Sequence, residues 1–449
     1  MKITPIPTAT RDVLPAEADE IRFLESAIRR VFDSFGYGEV MTPTLELEAA
    51  IETAGEQRFG RSFRLFDERG EVLMLRPEMT TPIARLVATR MADREPPFRL
   101  CYFANSFRPT TAQRGRRSEF FQAGLELVGS DSPAVDAEVL AVVCNSLEAC
   151  GLENFSIALG ESSFFRALLD SIGITGEGRT SLFETLAARD MVELEAVVGS
   201  LDISGKDRKA ILDAIGLRGG SEVLVAAKDL VRGEEMEAAL TRLARTYYLV
   251  SRYGYASRIH FDLGILRNFD YYTGIVFEVL STDLGFPLGG GGRYDGLLAR
   301  FGRPLPAVGF AVGLDRLHIA VSGQGGVAVP GSSGIALVGG LDPALDMAKV
   351  LRQAGVPVTA FARDTGLEEV LSLAVSADLR WAAVPEGDGY RLFDARDIDD
   401  VACVGGEVES TRETAPDEQN LRSGGELLSH DELVTKLAGA SEPRTGGAA

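Results

Sequence analysis

Apolar residues recur every three to four positions over residues 15–32, where Ile21, Leu24, Ile28 and Val31 share one side of a helix. Pro15 with Glu17, Asp19 and Glu20 suits a helix start, and Gly36-Tyr37-Gly38 suits a stop. Short β-like runs follow at 40–45, 62–66 and 71–75, then a helical pattern at 82–91. Residues 99–105 and 120–128 predict two strands joined by a polar, arginine-bearing loop. Residues 134–149 predict an amphipathic helix, and 155–159 another strand. From about 163 to 250 the spacing is helical with few β-branched runs, which predicts a helical insertion. Strand patterns return at 259–262 and 275–280. The run Gly289–Gly292 comes next, then an extended piece ending at Phe310-Ala311-Val312 and a helix over 314–322.

Residues 323–332 are rich in Gly, Pro and Ser and read as a linker between a core of 1–322 and a smaller C-terminal module. In that module, runs at 335–338, 343–354, 356–361, 367–376 and 381–384 alternate as βαβαβ, a small α/β unit over 333–400. Residues 401–449 are acidic and read as largely disordered. Ser429 with Glu432 forms a capping-box pattern for one short helix to Leu437.

Composition narrows the function classes. Lys+Arg is 46 against Asp+Glu 66, a net charge of −20, and a field of that sign repels phosphate backbones. Cys101, Cys144, Cys150 and Cys403 lack metal-ligand spacing and read as reduced thiols, and His260, His318 and His430 form no cluster. Neither a metal nor a cofactor is expected. No apolar run has the length of a membrane span, so the chain is expected in the cytoplasm.

Five segments carry candidate chemistry. Arg108, with Arg114, Arg116 and Arg117 in the next turn, suits an anion pocket, because guanidinium forks match carboxylate or phosphate. A solvated arginine-rich hairpin has the same pattern. Gln122, Gly124 and Glu126 share a strand face by the period of two, where the first and last can hold an amine and Gly124 leaves it room. In Arg76-Pro77-Glu78-Met79-Thr80-Thr81-Pro82, Thr80 or Thr81 suits a helix N-cap. Arg267 to Gly274 places Tyr271 and Tyr272 before a strand, and alternation predicts that one lines a pocket while the other packs. Gly289–Gly292 admits a ligand close to the backbone, or forms a flexible hairpin tip. Arg316, one turn into its helix, reaches a phosphate or pairs with Asp315 or another neighbour.

The order of these segments resembles the catalytic core of class II histidyl-tRNA synthetases across residues 8–322. TPTLE around Pro43 is similar to motif 1, FR…GR…EFFQAGLELVG to motif 2 and AVGFAVGLDRL to motif 3. RPEMT, RNFDYYTG and GGGGRYDGLL complete the resemblance. It implies an α/β (α+β) fold, a mixed antiparallel sheet flanked by helices, dimeric through motif 1. It also implies a histidine pocket of Glu78, Thr80, Arg108, Gln122, Glu126, Arg267, Tyr271 and Tyr272, with Arg108 and Arg316 at an ancestral ATP site.

Motif 2 departs from the synthetase pattern. Thr110 stands where the synthetase has a glutamate for the adenine amino group, and Thr111 and Ser118 replace two arginines. Charge-assisted bonds of that kind contribute about 1.5–3 kcal/mol each. Residues 381–389 lack the glycine-acid ending of the family's anticodon domain. These departures resemble the paralogous branch of ATP phosphoribosyltransferase regulatory subunits. That branch implies no catalytic residue, no tRNA, no membrane and no cofactor. It also implies a short-form catalytic subunit as partner in a hetero-octamer for the first step of histidine biosynthesis, with L-histidine as effector. An active histidyl-tRNA synthetase and a binding module for another partner are the alternatives.

Overall fold

The structure is a computed structural model that describes residues 6–55, 62–110, 117–188, 190–265, 271–326, 334–361, 367–377, 379–395 and 425–440. Arg114, Arg116, Arg267, Cys403 and residues 396–424 and 441–449 lie outside the described residues. The chain divides into two compact units, residues 1–327 and 328–449.

In the first unit α1 (Pro15–Ser34) leads to β1 (Gly38–Glu39), β2 (Leu45–Leu47), α2 (Glu48–Thr53), β3 (Arg64–Phe66) and β4 (Val72–Leu75). Then come α3 (Thr80–Thr89), β5 (Phe98–Phe107), β6 (Glu119–Val128), α4 (Pro133–Ala149) and β7 (Phe155–Glu161). The helical block holds α5 (Ser162–Ile172), α6 (Gly176–Ala188), α7 (Met191–Ser200), α8 (Gly205–Gly216), β8 (Arg218–Gly219), α9 (Glu222–Lys228) and α10 (Glu234–Arg252). It is not purely helical, because β8 pairs with the next strand. That strand is β9 (Ile259–Asp262), followed by β10 (Ile275–Ser281), β11 (Gly289–Arg293), β12 (Ala307–Gly313) and α11 (Leu314–Gly323).

Among the described residues the large sheet runs β1-β5-β6-β12-β11-β10-β7-β9-β8. Pairing from β5 to β7 is antiparallel, and β1–β5 and β7–β9 are parallel. Side-chain alternation divides its two faces. Leu125, Leu127, Phe277, Val279, Phe310 and Val312 join Leu24, Ile28, Val139, Leu243 and Leu317 in one buried core beneath the helices. Gln122, Gly124, Glu126, Gly309 and Ala311 lie on the opposite face. α4 is buried on most of its sides and enters at Pro133 with the Ser132 hydroxyl accepting from the Ala134 N–H at 3.2 Å. A separate small sheet, β2-β4-β3, is antiparallel.

The second unit holds β13 (Ile335–Val338), α12 (Leu341–Gln353), β14 (Val358–Phe361), α13 (Leu367–Ser376), β15 (Trp381–Glu386), β16 (Gly389–Asp394), β17 (Glu426–Leu428) and α14 (His430–Ala440). Its sheet order is β14-β13-β15-β16-β17, with the first three strands parallel and the rest antiparallel. The expected βαβαβ run is β13-α12-β14-α13-β15, and two features extend it. β15 and β16 form a tight hairpin about Gly387-Asp388, and β17 with α14 extends the module past residue 400. Leu428, Leu433 and Leu437 supply the reason, since they are buried with Ile335 and Leu351. The Glu432 carboxylate accepts from the Ser429 N–H and hydroxyl at 2.9 and 2.7 Å, forming the capping box. No helix among the described residues is long and apolar enough to cross a membrane.

Candidate functional site

The site starts where α3 begins. Glu78, two residues before that helix, accepts from the N–H of Thr80 and, at 2.8 Å, of Thr81. The cap is therefore Glu78, and neither threonine serves, contrary to the N-cap expectation from sequence. Its carboxylate takes the first free N–H groups and leaves the Thr80 hydroxyl available. That hydroxyl donates to Glu126 Oε1 at 2.8 Å, from the open face of β6. Tyr294, just after β11, donates its hydroxyl to Glu126 Oε2.

Both Glu126 oxygens are thus taken by neutral hydroxyls, and the residue is 2% exposed. Its carboxyl is pushed up to about 8, chiefly by burial, which outweighs the pull of the Tyr294 and Thr80 hydroxyls and is helped by the nearby Glu78. The same burial, with Glu126 close by, holds the Tyr294 and Tyr102 phenols well above their ordinary range. An uncompensated buried carboxyl favours a ligand that brings a positive charge or a hydrogen-bond donor.

An aromatic wall closes this end. Tyr271 stacks on Tyr294 with ring centroids 5.1 Å apart and meets Tyr272 edge-on at 5.0 Å. Both precede β10, so strand alternation does not separate them. Gly309 faces Glu126, and a Cβ there would fall 1.7 Å from Oε2. The space above Gly124 is filled by Tyr102, whose hydroxyl would lie 2.3 Å from an added Cβ, so that room belongs to a ring of the protein. The glycine run is β11 between β10 and β12, a central strand and not a hairpin tip. Gln122, half-buried, pairs in register with Ala104 and Gly313.

Arg108 and Arg316, which the family resemblance places at an ATP site, follow the ends of β5 and β12. Arg108 Nε donates to the Pro77 carbonyl at 2.8 Å, and its guanidinium lies 5.6 Å from the Phe120 ring centre. Arg316 donates to the Pro287 carbonyl at 2.7 Å and lies 5.2 Å from the Phe286 ring centre. Asp315 receives Arg11 at 2.8 Å and Arg117 at 3.5 Å. The Thr110 N–H donates to Ser118 Oγ at 3.3 Å, so two of the motif 2 departures meet at the base of their loop. Arg76 is a structural tie, donating to the carbonyls of Asn105 and Thr42 at 2.8 Å each.

Sequence reasoning passed over Tyr294 and a buried ion triad. Arg293, 1% exposed, donates through Nε and a terminal nitrogen to Asp136 Oδ1. Arg242 on α10 grips Asp136 Oδ2 at 3.1 and 2.6 Å. The signal was Asp136 in the largely apolar stretch AVDAEVLAVV, which also carries Glu138, since buried aspartates need partners. Among the described residues no group of three His, Cys, Asp or Glu is placed to hold a metal ion.

The histidyl-tRNA synthetase family profile matches residues 9–317. The ATP phosphoribosyltransferase regulatory subunit of Desulforamulus reducens is 44% identical over 313 residues, 69% of this chain and 77% of that protein. The one of Moorella thermoacetica is 41% identical over 379 residues, 83% of this chain and 96% of that protein. A crystal structure from Bacillus halodurans C, described as an ATP phosphoribosyltransferase regulatory subunit/histidyl-tRNA synthetase, is similar with a TM-score of 0.73 at 32% identity, covering 83% of this chain and 96% of that one. The histidyl-tRNA synthetase of Nostoc sp. PCC 7120 shares the fold, with a TM-score of 0.77 at 23% identity over 97% of this chain and 99% of that one. The chain belongs to the ATP phosphoribosyltransferase regulatory subunits, a family built on the class II histidyl-tRNA synthetase fold.

Proposed function

We propose that this chain binds a short-form ATP phosphoribosyltransferase catalytic subunit in the cytoplasm and carries L-histidine as the feedback effector of the first step of histidine biosynthesis. The observation that carries this is the contrast inside one site. The Glu78–Thr80–Glu126–Tyr294 constellation supports an amino-acid ligand, because it joins a buried carboxyl to hydroxyls that bond it. Thr110 stands where the synthetases hold the adenine amino group, and Thr111 and Ser118 stand where they have two further arginines on ATP. Effector and partner are then linked by one reciprocal coupling free energy. Arg267 completes the pocket on this proposal, and no tRNA is bound.

A second copy of the chain covers the small sheet. Met41, Leu45, Leu47, Leu65 and Phe66 are exposed around it, Met41 at 85% and Phe66 at 75%, and apolar clusters of this kind mark contact surfaces. The test is reconstitution. Adding the purified chain to a short-form catalytic subunit is expected to switch on phosphoribosyl transfer that L-histidine then inhibits. Unchanged activity, or activity indifferent to histidine, overturns the proposal.

A further inference from the structure

The segment 271–274 carries two rings of the pocket wall, and its backbone is held from the helical block. Ser162, the first residue of α5, donates its N–H to the Gly274 carbonyl at 2.9 Å. Its hydroxyl lies 2.9 and 3.0 Å from the carbonyls of Tyr272 and Gly274. Arg166, one turn on, donates to the same Tyr272 carbonyl.

From the other side, the Thr273 N–H donates to the Arg293 carbonyl at 2.7 Å, and the Asp295 N–H donates to the Thr273 hydroxyl at 2.9 Å. Gly274 lies against the Arg293 stem, where an added Cβ would sit 3.0 Å from Cδ. Arg293 is fixed in turn by Asp136, and Asp136 by Arg242 of α10. Tyr294, which bonds Glu126 and stacks on Tyr271, is the next residue after Arg293. α5 and α10 pack on each other. Two helices of one block therefore end, by separate routes, on the same four residues of the pocket.

We propose that Arg166 and Arg242 are positioning residues through which the helical block sets the pocket's affinity for its ligand. Neither belongs to the pocket constellation. Arg166 acts through the Tyr272 carbonyl, and Arg242 through Asp136 and Arg293. A chain docked on α5 or α10 then biases the pocket, and by reciprocity ligand binding biases that docking. The inference rests on histidine as the pocket's ligand, so the test also carries a readout that needs no ligand.

The test uses full-length R166M, R166K, R242M and R242K, with R232M as control. Arg232 makes an ion pair inside the same block, to Asp207 at 2.6 Å. L-histidine affinity is measured by calorimetric titration, and amide hydrogen exchange is followed over 271–275 and 293–296. R166M and R242M are expected to weaken histidine about fivefold to tenfold and to speed exchange in both stretches. The lysine variants recover part of each effect, since they keep the charge without the fork. R232M leaves both readouts at the wild-type value. The inference is overturned if R166M and R242M behave as R232M does, or if R232M shifts the pocket equally. Should R242M fail to fold, R166M decides alone, because it leaves the Asp136 triad intact. Should the wild type take up no histidine, the proposed effector role fails while the exchange readout still decides the positioning role.

Discussion

On the open face of the large sheet, the amino-acid end, where we propose that histidine binds around Glu126, and the nucleotide end, which resembles an ATP site around Arg108 and Arg316, differ in how their polar groups are spent. Deep along β6, Glu126 is buried and flanked by tyrosines, and among the described residues its bonds come from the Thr80 and Tyr294 hydroxyls, with no cation in contact. Beyond the strand ends, Arg316 is turned onto the Pro287 carbonyl, Asp315 is taken by Arg11 and Arg117, and Thr110 bonds Ser118. Among the described residues the first end holds a buried carboxyl without a cation, which on our proposal a ligand amine satisfies. The second is largely internally satisfied. A paralogue that loses adenylation can keep the part of the site that holds one of its two substrates, because the two parts hang on different elements: the α3 start and the β6 face on one side, the ends of β5 and β12 and α11 on the other.

The largest expected effect lies at the amino-acid end. In the unfolded chain the Glu126 carboxyl ionises near 4.5, and in the fold it keeps its proton to about 8. Between those values the fold binds one more proton than the unfolded chain, so its stability falls as pH rises, and the loss is complete above about 8. E126Q removes that penalty. Its stability relative to wild type is expected to improve between pH 5 and pH 8, on the order of 2–5 kcal/mol, read from urea unfolding at several pH values. A difference that stays flat over that range would mean that Glu126 is already ionised beside a cation, and the contrast between the two ends would lose its basis.

A smaller effect is expected at the nucleotide end. T110E restores the one carboxylate that the synthetase pattern uses for the adenine amino group. One charge-assisted hydrogen bond contributes about 1.5–3 kcal/mol, so about ten- to a hundredfold in ATP affinity is the ceiling. With Thr111 and Ser118 unchanged, T110E is expected to gain no more than about tenfold by equilibrium dialysis and no histidine-dependent pyrophosphate exchange. Exchange in this single variant would place the chain one substitution from a working synthetase.

Periodic patterns made much of this fold legible before any coordinates. The helix predicted over 15–32 is α1, and Gly36, in the left-handed conformation at φ +79°, ends it. What stayed hidden depends on contacts far apart in sequence. Thr80 reads as a cap until Glu78 is seen doing that work. Gly124 reads as ligand room until Tyr102, on the neighbouring strand, fills it. Arg293 looks like the end of a glycine run, and Asp136, 157 positions away, with the Ser130 carbonyl and Asp295, explains its burial. Residues 425–440 look like part of an acidic tail because the strand they pair with lies more than 30 residues upstream. The motif 2 departures were visible in the sequence, but the Thr110–Ser118 bond was not.

The most direct measurement is a calorimetric titration of L-histidine into the purified chain, with and without magnesium ATP. If the amino-acid end works on its own, histidine binds saturably and with the same affinity in both titrations. Histidine binding that appears only with ATP, or none in either titration, contradicts the account.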